Sequence, residues 1–317
     1  MSVFNVSSVS LSAKMTSSCN SPSTIPWVPK PPKKIFESGS AFESSLAIIF
    51  ALNKYRAIVT EINTISVPQD VEGFLNFKNT YYGALKGKET DNTVIQNFIE
   101  LSQRMDFEQG WVDSFLESME MDTYKSEYNN LDELNKYLYG SSEVIGLMMN
   151  RVMNLGEEAD ESARYLGKAM QFINFIRDVD EDLDLNRTYF PKDMLAKFGL
   201  DSLTRGEARR KPKQFEAFVR SQIKIYFKWQ RQAETGFEFI PKRMRVAVKT
   251  ASDMYAWTAM EIYNDPFIVY TTQIKPSKGQ VLLSGIKNLA KIYLPLGSET
   301  RVGMPDVQGI WTKKWHQ

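Results

Sequence analysis

Gln171-Phe-Ile-Asn-Phe-Ile-Arg-Asp-Val-Asp-Glu-Asp-Leu-Asp-Leu-Asn-Arg-Thr-Tyr-Phe-Pro191 is the most informative stretch of this 317-residue chain. Gln171, Asn174, Asp178 and Asp182 lie three, four and four residues apart, so on a helix their side chains stand in one row. Five acids fall within the seven residues from Asp178 to Asp184, and like charges four apart cost a helix about 0.2–0.5 kcal/mol per pair. Phe172, Ile173, Phe175 and Ile176 interleave with the row. A helix apolar on most sides is buried, and buried carboxylates must be paired or bind metal. The row therefore reads as a seat for a hard cation, Mg²⁺ or Mn²⁺ in its place, with Asp178, Asp182 and Asn174 as oxygen donors. Arg177 and Arg187 flank the acids and suit the oxygens of a phosphate group. Together these residues describe a diphosphate site. The competing reading is a solvated helix face, the commoner meaning of an acid run.

Outward from this stretch the dominant period is helical. Val219, Ile223, Tyr226, Ala233 and Phe237 recur at spacings of three, four or seven, which marks one apolar stripe. Helices are expected near 71–86, 92–104, 108–120, 131–155, 160–184, 214–236 and 243–264, separated by Gly, Pro or Asn/Asp clusters. Strand alternation is absent, so the expected class is all-α. In Tyr137-Leu-Tyr-Gly-Ser-Ser-Glu-Val-Ile-Gly-Leu-Met-Met149, the small residues Gly140, Ser141 and Gly146 let helices approach closely. Leu147, Met148 and Met149 are either core packing or the wall of an apolar channel.

Composition removes other chemistries. The single histidine (His316) and single cysteine (Cys19) exclude a histidine-dependent nucleophile inside the fold, a four-ligand zinc site and an intramolecular disulfide. A formal net charge of +1 gives no electrostatic case for nucleic acid, and no apolar run reaches the roughly 20 residues that span a bilayer. Residues 1–34 hold nine Ser and five of the thirteen Pro, with no acid before Glu37. That composition marks a disordered tail, or a targeting segment, although no Arg precedes Arg56. The expected organisation is this tail, a domain over 35–300 and a C-terminal tail over 301–317, with cytoplasmic placement and organelle targeting through residues 1–34 as the alternative.

Segment 171–195 resembles the second aspartate-rich motif of the squalene/phytoene synthases, Gln-x-x-Asn-x-x-Arg-Asp-x-x-x-Asp followed by Gly-Arg-x-Tyr-x-Pro. The chain supplies Gln171, Asn174, Arg177, Asp178, Asp182, Arg187, Tyr189 and Pro191, with Asn186 at the Gly position. Segment 137–149 is similar to the Tyr-x-Tyr-Gly-Ser-Ala-Glu-Val-x-Gly-Leu-Met of archaeal-type phytoene synthases. Met119-Glu-Met-Asp122 and Tyr255-x-Trp257 fit that branch, and the resemblance covers about residues 70–275. It implies an isoprenoid synthase helical bundle around a central cavity, and Mg²⁺-dependent head-to-head joining of two prenyl diphosphates in carotenoid or isoprenoid biosynthesis. Geranylgeranyl diphosphate to phytoene is the expected conversion, without NADPH. It further implies catalytic roles for Asp178, Asp182 and Tyr189, and substrate contacts from Gln171, Asn174, Arg177, Arg187, Arg56 and Tyr139. The apolar substrate and product imply peripheral membrane contact; oligomeric state is left open.

The chain departs from the family pattern where a first motif, Asp-Asp-x-x-Asp, follows an Arg by about four residues. Here the stretch is Tyr55-Arg-Ala-Ile-Val-Thr-Glu-Ile-Asn-Thr-Ile65. Arg56 matches the Arg, Glu61 alone keeps an acid as a fourth metal donor, and Thr60 or Asn63 stands where aspartates are expected. Gln280-Val281 replaces an Arg common near the end of the fold. Two alternatives follow: a catalytically impaired relative acting as a binding or assembly partner, and a cyclase acting on one prenyl diphosphate.

Overall fold

The computed structural model describes residues 71–271 and 274–294; the two tails, Arg56 and Glu61 lie outside them. The described residues form helices α1 (Val71–Leu85), α2 (Thr93–Arg104), α3 (Gln109–Tyr124) and α4 (Leu131–Leu138), then a π-helical turn (Tyr139–Glu143) that leads into α5 (Val144–Val152). After these come α6 (Asp160–Arg177), α7 (Val179–Asp184), α8 (Lys192–Lys197), α9 (Arg205–Arg210), α10 (Pro212–Glu234), α11 (Lys242–Asn264) and α12 (Lys278–Tyr293). Among the described residues no strand forms, and one isolated parallel bridge joins Glu127 to Thr188. The all-α class and the seven expected helices are observed, with two interruptions: the π turn divides the expected 131–155 helix, and Asp178 divides 160–184. The sequence reading missed α8, α9 and α12.

Local chemistry sets the helix ends. The Asn92 side chain accepts from the amides of Val94 and Ile95, Asn130 from Glu133, and Thr204 from Glu207. Pro212 opens α10 at a position whose N–H would have no helical partner. At α12 the Ser277 hydroxyl accepts from the Gln280 amide while Gln280 Oε1 accepts from Ser277 N–H at 2.7 Å. This reciprocal cap gives Gln280, which replaces the family's Arg, a structural function of its own.

The core centres on the packing of α10 against α6. Phe172, Ile173, Phe175 and Ile176 are buried, as is the whole Val219–Phe237 stripe, so the interleaved residues of the opening stretch face protein on most sides. At roughly 1.5–3 kcal/mol for each large apolar side chain removed from water, these four alone contribute strongly to holding α6 central. A second cluster gathers Tyr81, Ile95, Trp111, Val112, Leu116, Val144, Leu147 and Met148. Leu147 and Met148 therefore act in packing, while Met149 is half-buried. The expected close helix approaches are present: a Cβ on Gly140 would fall 2.0 Å from the Ser114 carbonyl oxygen, and one on Gly146 would fall 2.2 Å from that of Ala163. Only glycine permits these contacts.

Candidate active site

α6 delivers the row. It ends at Arg177; Asp178 leaves helical geometry (φ −96°, ψ 17°) and α7 resumes at Val179. The Asp178 amide still bonds the Asn174 carbonyl at 2.8 Å, and the Asp182 amide bonds that of Asp178 at 2.8 Å, so the row continues through the break. Gln171, Asn174, Asp178 and Asp182 are 2, 2, 7 and 5 % exposed, so the reading as a solvated face fails for the row, while Glu181 and Asp184 of the same acid run are exposed.

What the first two members of the row lack is partners. Gln171 Oε1 and both terminal atoms of Asn174 are buried without a hydrogen bond, a burial that costs about 1–3 kcal/mol per group. Burial pushes the Asp182 carboxyl up to about 8, with the nearby Asp178 charge adding to the rise and Arg187 opposing it. Asp178 is paired: Arg177 donates through Nε to Oδ1 at 2.6 Å and through Nη2 to Oδ2 at 2.7 Å. That pairing outweighs burial and raises the Arg177 pKa. Beside it a cleft of about 180 Å³ is lined by Arg177, Asp178, Asp180, Glu181, Arg205 and Tyr270, among others.

Asp182 faces a second group, built by the turn after α7. Asn186 sits in the left-handed region at φ 54°, a conformation reached most readily by Gly and then Asn. The Asn at the family's Gly position thus keeps the turn. It sends the Arg187 amide back to the Asp182 carbonyl at 2.8 Å. Arg187 is buried, and its Nη2 donates to the Asp122 carbonyl at 2.9 Å. Asp122 accepts from the Tyr137 hydroxyl at 3.0 Å and the Tyr189 hydroxyl at 3.3 Å. Burial raises its carboxyl to about 6, against the lowering effect of Arg187 and the two tyrosines. Tyr189 stacks on Phe175 with ring centroids 4.1 Å apart, and burial raises its pKa well above the ordinary value. Its hydroxyl serves Asp122, so the structure gives Tyr189 the geometry of a support for Arg187.

The sequence pattern alone assigns Asp122 no role. Its signal was present: Ser118 and Asp122 are polar residues four apart on the face of α3 that buries Trp111 and Met121. A further polar row lies on α10, where Gln222 Oε1, Tyr226 Oη and Gln230 Oε1 are buried without partners; the sequence period shows Tyr226 only as part of the apolar stripe. At the other end of α6, buried Glu143 accepts from Arg164 at 3.0 Å and pairs with Lys168 at 3.0 Å. Tyr139 is half-buried with the Arg164 guanidinium 5.5 Å over its ring.

The donors fit a hard divalent cation in kind: two buried carboxylates and an unpartnered amide on one row. Among the described residues no three Asp, Glu, His or Cys side chains converge as a metal site. The resemblance implies a second ligand set from the earlier motif, which lies outside these residues.

Comparison with known proteins identifies the lineage. A phytoene synthase 2 from Solanum lycopersicum is 32 % identical over 178 residues, spanning 53 % of this chain and 56 % of that protein. The 15-cis-phytoene synthase of Paracoccus is 28 % identical over 222 residues, spanning 68 % and 69 %. The chain thus spans about half the length of the plant relative. A dehydrosqualene synthase structure superposes with a TM-score of 0.65 at 17 % identity, covering 82 % of this chain and 94 % of that one. A squalene synthase from Alicyclobacillus acidocaldarius superposes at 0.57 and 16 %, covering 75 % and 97 %. At these identities the superpositions establish the isoprenoid synthase fold. The family model described as squalene/phytoene synthase matches residues 47–284, and the chain belongs to the squalene/phytoene synthase family.

Proposed function

We propose that this chain joins two prenyl diphosphates head to head, with geranylgeranyl diphosphate as substrate and phytoene as product, in a Mg²⁺-dependent reaction. The observation that carries the reading is the buried Gln171–Asn174–Asp178–Asp182 row, in which Gln171 Oε1 and both terminal atoms of Asn174 have no partner, inside the segment that resembles the family's motif. Asn174, Asp178 and Asp182 would hold the cation, which when bound neutralises charge on the diphosphate leaving group. Arg187, fixed from behind by Asp122, presents a cation beside Asp182, and Arg177 lines the adjoining cleft. Both stabilise negative charge as the carbon–oxygen bond to diphosphate breaks. The tightly packed aromatic and aliphatic shell around α6 excludes water from the allylic cation that remains.

The test is incubation of the full chain with geranylgeranyl diphosphate and Mg²⁺. A C40 hydrocarbon together with released diphosphate is expected, and farnesyl diphosphate in a parallel reaction distinguishes the C15 substrate. A product keeping the carbon number of one substrate would identify a cyclase instead.

The residues Thr60, Glu61 and Asn63 at the first motif favour a second reading, a binding or assembly partner of impaired activity. Folded protein that binds geranylgeranyl diphosphate yet releases no diphosphate is the result that selects it.

A further inference from the structure

Helix α12 is oriented against the usual rule for an amphipathic helix. Its inner seam is polar: Asn288 Nδ2 donates to Asp253 Oδ2 at 2.8 Å and to Thr250 Oγ1 at 3.2 Å, and the Ser284 hydroxyl meets Asp253 Oδ2 at 3.2 Å. Its apolar residues turn outward. Leu282, Ile286, Leu289 and Tyr293 follow one another at spacings of four, three and four, which is one continuous helical face, and they are 65, 55, 51 and 47 % exposed. Leu283 at 54 % and Leu294 at 64 % broaden the patch. Single exposed apolar residues are ordinary, but a contiguous stripe marks an interaction surface.

Charge identifies the partner. Residues 274–294 carry four lysines (Lys275, Lys278, Lys287 and Lys291) and no acid, in a chain whose basic and acidic residues nearly balance. Lys287 and Lys291 fall on the flank between the apolar stripe and the seam. Lys242 of α11 adds a further cation 6.0 Å over the Tyr293 ring. An apolar stripe bordered by lysines matches the interfacial layer of a bilayer with anionic headgroups: the leucines enter the acyl boundary while the lysine stems reach back to phosphate. A second protein chain would need acids to answer these lysines, and a second copy of this surface carries none.

We infer that α12 docks the protein on an anionic lipid surface, with Leu282, Ile286 and Leu289 inserted and Lys287 and Lys291 on headgroup phosphates. The inference stands on this surface and is independent of the chemistry proposed above. It gives the expected membrane contact a specific address, and it needs no spanning segment; no helix among the described residues is long and apolar enough to cross a membrane.

The experiment is flotation of the full chain, without substrate, on phosphatidylcholine vesicles with and without phosphatidylglycerol. The wild type is expected to float with the anionic vesicles and much less with the neutral ones. A triple variant Leu282→Ser, Ile286→Ser, Leu289→Ser should lose binding by about tenfold or more, and Lys287→Glu with Lys291→Glu should abolish the preference for phosphatidylglycerol. Thermal melting of both variants should match the wild type within a few degrees. Wild type that does not float overturns the proposal. So does a triple variant whose melting temperature collapses, since another part of the chain then covers the stripe. Conversion of a dimer to a monomer with flotation unchanged overturns it too, by assigning the face to a second copy.

Discussion

Helices α6 and α12 both turn polar side chains inward, and they do so with opposite outcomes. On α12 the buried Asn288 meets Asp253, Thr250 and Ser284, and the seam is satisfied. On α6 the buried Asn174 meets nothing, and Gln171 leaves its oxygen unpaired. Burial of polar groups is therefore not itself the mark of a site. A satisfied seam is an adhesive, whereas an unsatisfied row inside a well-packed core is tolerated because something else completes it.

The strongest way to break this contrast is to remove charge from the row. Asp182→Asn should lower diphosphate release from geranylgeranyl diphosphate by about a hundredfold or more, the scale for losing a group that stabilises transition-state charge. Its melting temperature should hold or rise, because burial disfavours the carboxylate it replaces. A variant that keeps full turnover would place the reaction elsewhere.

The supporting layer behind the row gives the next effect. The Asp122 carboxyl is raised by burial to about 6. The folded protein therefore holds that proton over a pH range where the unfolded chain has released it, and stability falls as pH rises from about 4 to about 6. Two pKa units correspond to roughly 3 kcal/mol across that window. Asp122→Asn should flatten this part of a urea-stability profile taken against pH, while also loosening Tyr137 and Tyr189.

A matched pair of substitutions reads the contrast directly. Asn288→Leu removes the amide donor that Asp253 Oδ2 holds at 2.8 Å, leaving that oxygen the Ser284 hydroxyl alone, and should cost about 1–3 kcal/mol by denaturant titration. Asn174→Leu removes two unpaired atoms at similar volume and should be neutral or stabilising by about 1 kcal/mol, while diphosphate release is lost. Equal destabilisation by both would erase the distinction between the two helices.

The smallest effect lies at the turn. Asn186→Gly should change stability by no more than about 0.5 kcal/mol, whereas Asn186→Ala, forced to positive φ, should cost about 1 kcal/mol.

The sequence was legible wherever side-chain identity repeats with the helical period. Seven helices, the buried row and the close approaches at Gly140 and Gly146 were all readable from spacing. Three things were not. Helices α8 and α9 are six residues each, too short for a period to show. α12 hides its meaning because its leucines point away from the core, which inverts the pattern that normally marks a packed helix. Asp122 is distant in sequence from Arg187 and Tyr189, and only the chain crossing that sets Thr188 N–H on the Ser126 carbonyl at 2.8 Å brings them together. Whether a polar residue finds a partner is likewise a tertiary fact, which is why Asn174 and Asn288 look alike on the page.

The π turn at Tyr139–Glu143 acts as a phase adjuster. A π turn accommodates one residue beyond the α-helical count, and each α-helical residue advances the helix by about 100°. If Leu131–Val152 kept every residue but ran as a plain α-helix, each residue after the turn would stand about 100° further round; Gly146 would leave the Ala163 carbonyl and a bulkier neighbour would take its place. Deleting Ser141 would remove the surplus residue and the wide turn together, leaving α4 and α5 in phase. The π turn thus lets this helix carry one extra residue while Gly146 stays seated against α6.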